Sequence, residues 1–238
     1  IYISNQNKVD NLCQTRELNM KRCLAQRGLT ETVTWSFMSN KKSKVFGMNN
    51  VLEIENPISN DLDTMRGSMI PNFLDAVCKN IANGEEKVCL YELGPVFDKK
   101  FENNQQISLS GVRCGRSKKH WLKKDRLYDF FDVKGIIEII LSQLGISFEL
   151  RQSSDFFLHP GKSADIYADN HKIGILGNLH PNILSELDID SSSAVFAELD
   201  ISALSNIPQH RVASFKNYSR FPVAVSYTHL PLPPSDLV

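Results

Sequence analysis

The sequence predicts an α+β fold, a mainly antiparallel sheet flanked by helices. Three observations lead there. Two segments carry continuous apolar stripes at helical spacing. A larger number of short segments alternate or are rich in β-branched and aromatic residues. Adjacent strand segments are joined by short turns, which favours antiparallel pairing with helices on one face of the sheet.

Along the chain, residues 1–13 are polar and aperiodic and read as a linker. A helix is predicted over 15–27 from Leu18, Met20, Cys23 and Leu24, with Gly28 as its stop. Residues 32–38 and 51–55 read as strands. The clearest helix follows, with Ile70, Phe73, Leu74, Val77, Cys78 and Ile81 on one face. Ser68 is its expected cap, Pro71 lies in the first turn where a missing N–H costs nothing, and Gly84 ends it. Residues 87–93 and 106–114 read as strands around a polar loop.

A second stripe, Val133, Ile136, Ile137, Ile140, Leu141 and Leu144, predicts a helix over 132–144 with Asp132 as cap and Gly145 as stop. Further strands are expected at 147–152, 163–168, 172–178 and 195–200, with Asp169-Asn170 as a tight turn and a short helix from Pro181. Residues 226–238 hold three prolines in the four positions 231–234 and no usable pattern. They read as a non-native tail.

Lys and Arg number 27, and so do Asp and Glu, so no global field draws nucleic acid or membrane to the chain. Any RNA contact has to come from a local patch. Five cysteines, none in a C-x-x-C pair, argue against a disulfide framework or thiolate zinc site and for buried free thiols. No stretch approaches the ~20 apolar residues of a membrane helix. The first residues, Ile1-Tyr2-Ile3-Ser4, lack an initiator Met and a signal-peptide layout, so the expectation is an internal piece of a longer cytoplasmic protein.

Six motifs occur in one order: 27–37 (RGLTETVTWSF); Asn56-Pro57-Ile58-Ser59 with Met65-Arg66 and Ile70-Pro71; 91–97 (YELGPVF); 129–135 (DFFDVKG); 159–164 (HPGKSA); and 174–181 (GILGNLHP). Each alone is weak; together they resemble the β subunit of bacterial phenylalanyl-tRNA synthetase over about residues 15–225. The resemblance implies a fold similar to a class II aminoacyl-tRNA synthetase catalytic domain, here spanning 14–210 without catalytic function. It makes 211–225 the start of a linker to a missing anticodon-binding-like domain. It also implies a catalytic α subunit as partner, in a two-α, two-β assembly that ligates phenylalanine to tRNA(Phe) with ATP and Mg2+. No ATP, metal or catalytic residue is carried over to this chain.

The residues agree with that reading. A class II site needs fixed arginines against ATP phosphates, because negative charge builds on phosphate oxygens. This chain has Tyr91-Glu92-Leu93 at the first such strand and 195–200 (VFAELD) at the second, acidic where a cation is required. Arg66, Phe73 and Glu92 are the candidate interface residues. Arg66 is expected either to clamp a partner carboxylate or to close a salt bridge within the chain. In the basic segment 116–126, Lys118, Lys119, Trp121, Lys123 and Lys124 are candidate tRNA contacts, against the plainer reading of a solvated loop. His159 and His180, each before Pro, lack companions for a zinc site and are expected to hydrogen-bond locally. Gly161, Gly174 and Gly177 form no phosphate loop and are expected to permit close packing in the sheet. Three functions compete: a scaffold for the α subunit, an RNA-binding module, and a single-chain amino-acid ligase.

Overall fold

The computed structural model describes residues 12–117, 121–122, 125–187, 194–205 and 207. The elements run α1 (Leu12–Gln26), β1 (Thr30–Glu31), β2 (Phe37–Met38), α2 (Asn40–Val45), β3 (Thr64–Met65), α3 (Ile70–Ala82), β4 (Lys87–Phe97), β5 (Gln105–Gly115), α4 (Phe130–Gln143), β6 (Glu149–Gln152), β7 (Leu158–Ala168), β8 (His171–Leu179), α5 (Pro181–Glu186), β9 (Val195–Asp200) and α6 (Ile201–Ser205). Seven strands form one sheet in the order β1-β4-β5-β9-β8-β7-β6, while β2 and β3 pair separately. Every pairing in the large sheet is antiparallel except β1 with β4. The α+β layout therefore holds, but helices cover both faces of the sheet and not the one face expected, α1, α4 and α6 on one side and α3 on the other, because the α3 and α4 stripes bury against oppositely facing strand residues.

Because side chains alternate across a strand, each face of the sheet has its own core. Cys89 and Tyr91 of β4, Leu109 of β5, Leu176 of β8 and Ala197 and Leu199 of β9 face one way. They pack with Met20, Cys23 and Leu24 of α1, the α4 stripe and Ile201 and Leu204 of α6. Val88 and Val96 of β4, Val112 and Cys114 of β5 and Phe196 of β9 face the other way, under Ile70, Phe73, Leu74 and Val77 of α3.

Several boundaries depart from expectation. The first helix begins at Leu12, inside the expected linker, and Leu18 is 46% exposed because it lies off the Met20–Leu24 face. Helix α4 is capped by Asp129, not Asp132. The Asp129 carboxylate accepts the Phe131 and Asp132 N–H groups while Asp132 accepts the Asp129 N–H, a reciprocal capping box one turn earlier. Helix α3 starts at Ile70 with Met69 as N-cap; Ser68 does accept the Ile70 N–H, at 3.1 Å, but from outside the cap. Its stripe frays at the end, where Ile81 is 40% exposed.

The expected strand at 51–55 reduces to a Glu53–Thr64 bridge with flanking backbone hydrogen bonds from Ile54 to Asp63 and from Met65 to Leu52. The expected strand at 32–38 is interrupted between β1 and β2, for a reason given below. Helices α2 and α6 are too short to show a stripe; each still has a capping signal, Ser39 accepting from Lys42 N–H and Asp200 accepting from Ala203 N–H. Residues 1–11, 211–225 and 226–238 lie outside the described residues.

Candidate functional site

The sheet register builds the site. Glu92 of β4 stands opposite Ser110 of β5, Ser110 opposite Glu198 of β9, and Glu198 opposite Ile175 of β8. This row crosses the face covered by α3, so two carboxylates stand in the middle of a largely apolar layer. Each is met by a group from the segment leading into α3.

Arg66 answers Glu92. Its Nη2 donates to Glu92 Oε1 at 2.8 Å, Nη1 to Thr34 Oγ1 at 2.8 Å and Nε to the Pro95 carbonyl at 2.9 Å. Glu92 Oε2 accepts from the Thr34 N–H at 3.0 Å and from its hydroxyl at 2.6 Å. Arg66 is 1% and Glu92 3% exposed, so the charges are compensated inside the chain rather than by water. Gly94 leaves the room this needs: a Cβ there would stand 3.0 Å from Arg66 Nη2 and 3.2 Å from Glu92 Oε1.

The same contacts explain the broken strand at 32–38. Thr32 N–H still reaches the Tyr91 carbonyl, but Thr34 N–H goes to the Glu92 carboxylate instead of a neighbouring backbone. The segment stays extended without a ladder. Thr34 turns inward, and its neighbours Val33 (89% exposed) and Trp35 (63% exposed) turn outward. Asn72 of α3 holds the Trp35 carbonyl at 2.9 Å, and Arg66 N–H holds the Ser36 carbonyl at 2.9 Å.

Glu198 is met by the start of α3. It accepts from the Ser68 hydroxyl and, at 3.2 Å, from the Met69 N–H, so a sheet carboxylate serves the helix N-terminus. Burial pushes the Glu198 carboxyl above its usual range. The Ser68 and Met69 donors and the Arg66 charge oppose that rise, and nearby Glu92 adds to it.

The candidate interface residues Arg66, Glu92 and Phe73 (0% exposed) therefore all lie in the interior, and Arg66 takes the alternative of an internal salt bridge. Glu198 and Thr34 complete their network. Glu198 was visible in the sequence only as a charge of the wrong sign for phosphate, and no signal marked Thr34.

The basic segment is a separate excursion. Its neck is closed by an Arg116–Leu127 bridge and a Ser117 N–H to Arg126 carbonyl bond of 2.8 Å. Trp121 is 87% exposed, while Lys118, Lys119, Lys123 and Lys124 lie outside the described residues. His159 Nδ1 accepts from Gly161 N–H at 3.0 Å, and His180 Nδ1 accepts from Asn182 N–H at 3.1 Å and caps α5, so both rings bond locally. Gly174 is closely packed, with a Cβ position 2.4 Å from the Glu198 carbonyl, as is Gly177; Gly161 has room for a side chain. Cys23, Cys89 and Cys114 are buried thiols that form no disulfide among the described residues, and Cys78 is half-buried. Among the described residues no cluster of His, Cys, Asp or Glu is arranged to hold a metal, and no helix is long and apolar enough to cross a membrane.

An antiparallel sheet with helices on both faces and this strand order is the class II aminoacyl-tRNA synthetase catalytic-type fold. Pyrrolysyl-tRNA synthetase from Desulfitobacterium hafniense superposes with a TM-score of 0.63 over 82% of this chain and 68% of that one, at 14% sequence identity. The likeness at that identity is one of fold. Residues 3–201 match the family described as "Phenylalanyl tRNA synthetase beta chain CLM domain", and the chain belongs to that family. It is 37% identical over 196 residues to the phenylalanine–tRNA ligase β subunit of Paramagnetospirillum magneticum strain AMB-1, covering 80% of this chain and 24% of that protein. It is 36% identical over 201 residues to that of Bacillus subtilis strain 168, again covering 80% and 24%. The chain thus spans about a quarter of the length of these relatives.

Proposed function

We propose that the chain is the non-catalytic, synthetase-like core of a phenylalanine–tRNA ligase β subunit, and that it supports a catalytic α subunit in ATP- and Mg2+-dependent attachment of phenylalanine to tRNA(Phe) in the cytoplasm. The observation that carries this reading is the row Glu92–Ser110–Glu198. On the sheet face that a class II enzyme needs for ATP phosphates, this chain sets two carboxylates, one ion-paired to its own Arg66 and the other hydrogen-bonded by its own Ser68. A triphosphate approaching that face would meet negative charge and a filled interior.

The role left to the chain is to present a rigid surface. Arg66 and Glu92 act as positioning residues, since they pin the 32–36 segment whose Val33 and Trp35 face outward. Two exposed apolar side chains on a fixed, extended segment suit an interface in which a partner removes them from water.

Size-exclusion chromatography with mass detection, on this chain mixed with the α subunit from the same genome, tests the proposal. A stable complex is expected, weakened by Trp35→Ser. Separate elution that persists when the complete β subunit is used overturns it. The chain alone is expected to show no phenylalanine-dependent ATP–pyrophosphate exchange; exchange by the chain alone would restore the single-chain ligase.

A further inference from the structure

We propose that β6, the free edge strand of the large sheet, docks a second copy of this chain by antiparallel pairing about a two-fold axis at Leu150, so that Glu149 of each copy meets Arg151 of the other. The contact uses neither the Arg66 network nor the outward Val33 and Trp35, and it does not depend on the scaffold role.

The two edges of the sheet differ. β1 is two residues long, and the chain beyond it is drawn to Glu92 through Thr34, so little strand is offered there. β6 (Glu149–Gln152) pairs with β7 on one side and, among the described residues, with no strand on the other. A strand so placed presents its outward backbone N–H and C=O groups to any extended chain that approaches. Such edges are blunted by Pro, by a bulge, or by charges that repel a like strand, Lys above all. β6 has no Pro and no Lys, and its register with β7 is unbroken from Glu149–Tyr167 to Gln152–Ala164. Glu149, Arg151 and Gln152 are exposed.

Charge order selects the occupant. Residues directly opposite each other in an antiparallel pair point to the same face and interact. With Leu150 opposite Leu150, two-fold symmetry sets Glu149 opposite Arg151 twice. Both charges stand on the face of the Glu92–Ser110–Glu198 row, which continues through Ile175 and Asp165 to Arg151. Leu150 stands on the other face, against the apolar core under α1 and α4, so the same pairing sets apolar against apolar. A one-residue slip would put Leu150 opposite a charge and turn the second copy over. Arg151 is held ready. Its guanidinium carbon lies 4.3 Å from the Tyr167 ring centroid, and Nη2 donates to Glu149 Oε2 at 3.3 Å and to Asn170 Oδ1 at 3.2 Å. Both bonds use one nitrogen, which leaves Nε and Nη1 for a carboxylate from outside. The Glu149–Arg151 pair within one chain has side chains 73% and 47% exposed, so it holds little and yields readily to a cross-strand pair. The strand is short, and the contact belongs with weak, concentration-dependent interfaces.

The test is sedimentation velocity of the 238-residue chain from micromolar to millimolar concentration, with backbone hydrogen exchange measured at both ends of the series. The parent is expected to pass reversibly from monomer to dimer, with exchange slowed within 149–152 in the dimer. Glu149→Arg alone and Arg151→Glu alone each set like charges opposite one another at both symmetric places, and each should weaken self-association roughly 10-fold or more. Mixed together, those two variants should associate as tightly as the parent does, since each arginine then faces a carboxylate. The double variant Glu149→Arg with Arg151→Glu reverses the order on both copies and should dimerise alone as the parent does. Both positions are exposed, so each variant is expected to keep the parent's thermal midpoint. Misfolding cannot mimic the mixing result, in which two impaired variants restore one another. A parent that stays monomeric at millimolar concentration overturns the proposal. So does self-association of the single variants equal to the parent's, a mixture that fails to associate, or exchange slowed elsewhere and not within 149–152.

Discussion

The two faces of the sheet are built on different physics. Under α1, α4 and α6 the layer is apolar throughout, with Ile140, Leu141, Ile166, Ile173, Leu176 and Leu199 all at or below 1% exposure. Under α3 a comparable apolar layer gives way to the Glu92–Ser110–Glu198 row and its partner Arg66. The first face is held by burial of area, which is non-directional and tolerant of shape-conserving change. The second depends on hydrogen-bond geometry, where removing one partner leaves a charge stranded. A sheet of this fold can therefore fill its polar face with its own groups as the ligands.

The largest effect should come from breaking the charged face. Arg66→Ala leaves Glu92 uncompensated and is expected to cost about 3–5 kcal/mol in urea denaturation. The paired change Arg66→Met with Glu92→Leu should cost much less, since it removes both charges; equal losses would mean that packing, not charge, holds this face. On the apolar face Leu141→Ala, at a fully buried position, should cost about 2–5 kcal/mol by the same measurement, set by how far the cavity collapses. A smaller loss of about 1 kcal/mol is expected for Asp129→Ala, which removes the α4 cap.

The smallest effect separates the faces by pH. The folded chain holds the Glu198 proton more tightly than the unfolded chain does. Its contribution is present below the ordinary carboxylate range, about pH 4, and is lost as pH rises through the elevated value. Asp132 behaves in the opposite sense. Burial alone would raise it, but the Arg126 guanidinium and the Asp129 N–H hold it below its usual range. Its contribution is present above the ordinary range and lost as pH falls. Denaturation midpoints measured from pH 4 to 8 should therefore fall less steeply with rising pH in Glu198→Gln than in the parent. In Asp132→Asn, followed from pH 5 down to about pH 2, below the ordinary Asp range, the loss of stability towards acid should be shallower. A Glu198→Gln profile parallel to the parent's would place that carboxyl in a solvent-like environment.

Helix α4 was legible because six apolar residues at helical spacing admit one burial solution, and all six are buried. Strand β4 was legible but too short, because it runs on through Gly94-Pro95, which reads as a turn until its pairing with β5 is known, whereas β5 was legible to within one residue at each end. The two-residue strands and α2 were illegible: so short a segment has no period. The candidate site was half legible. Arg66, Glu92 and an acidic 195–200 stood out as charges in unexpected places, but their mutual contacts did not.

The sequence by itself determined the alternation of helix and strand and the six ordered motifs, because periodicity and local turn chemistry are short-range properties. Only the tertiary structure decided that Glu92 and Glu198 share one row, that Arg66 turns inward to Thr34 and Glu92, and that β6 stands at the edge of the sheet. Those facts depend on strand register and on contacts spanning up to 130 residues of chain, which no local pattern encodes.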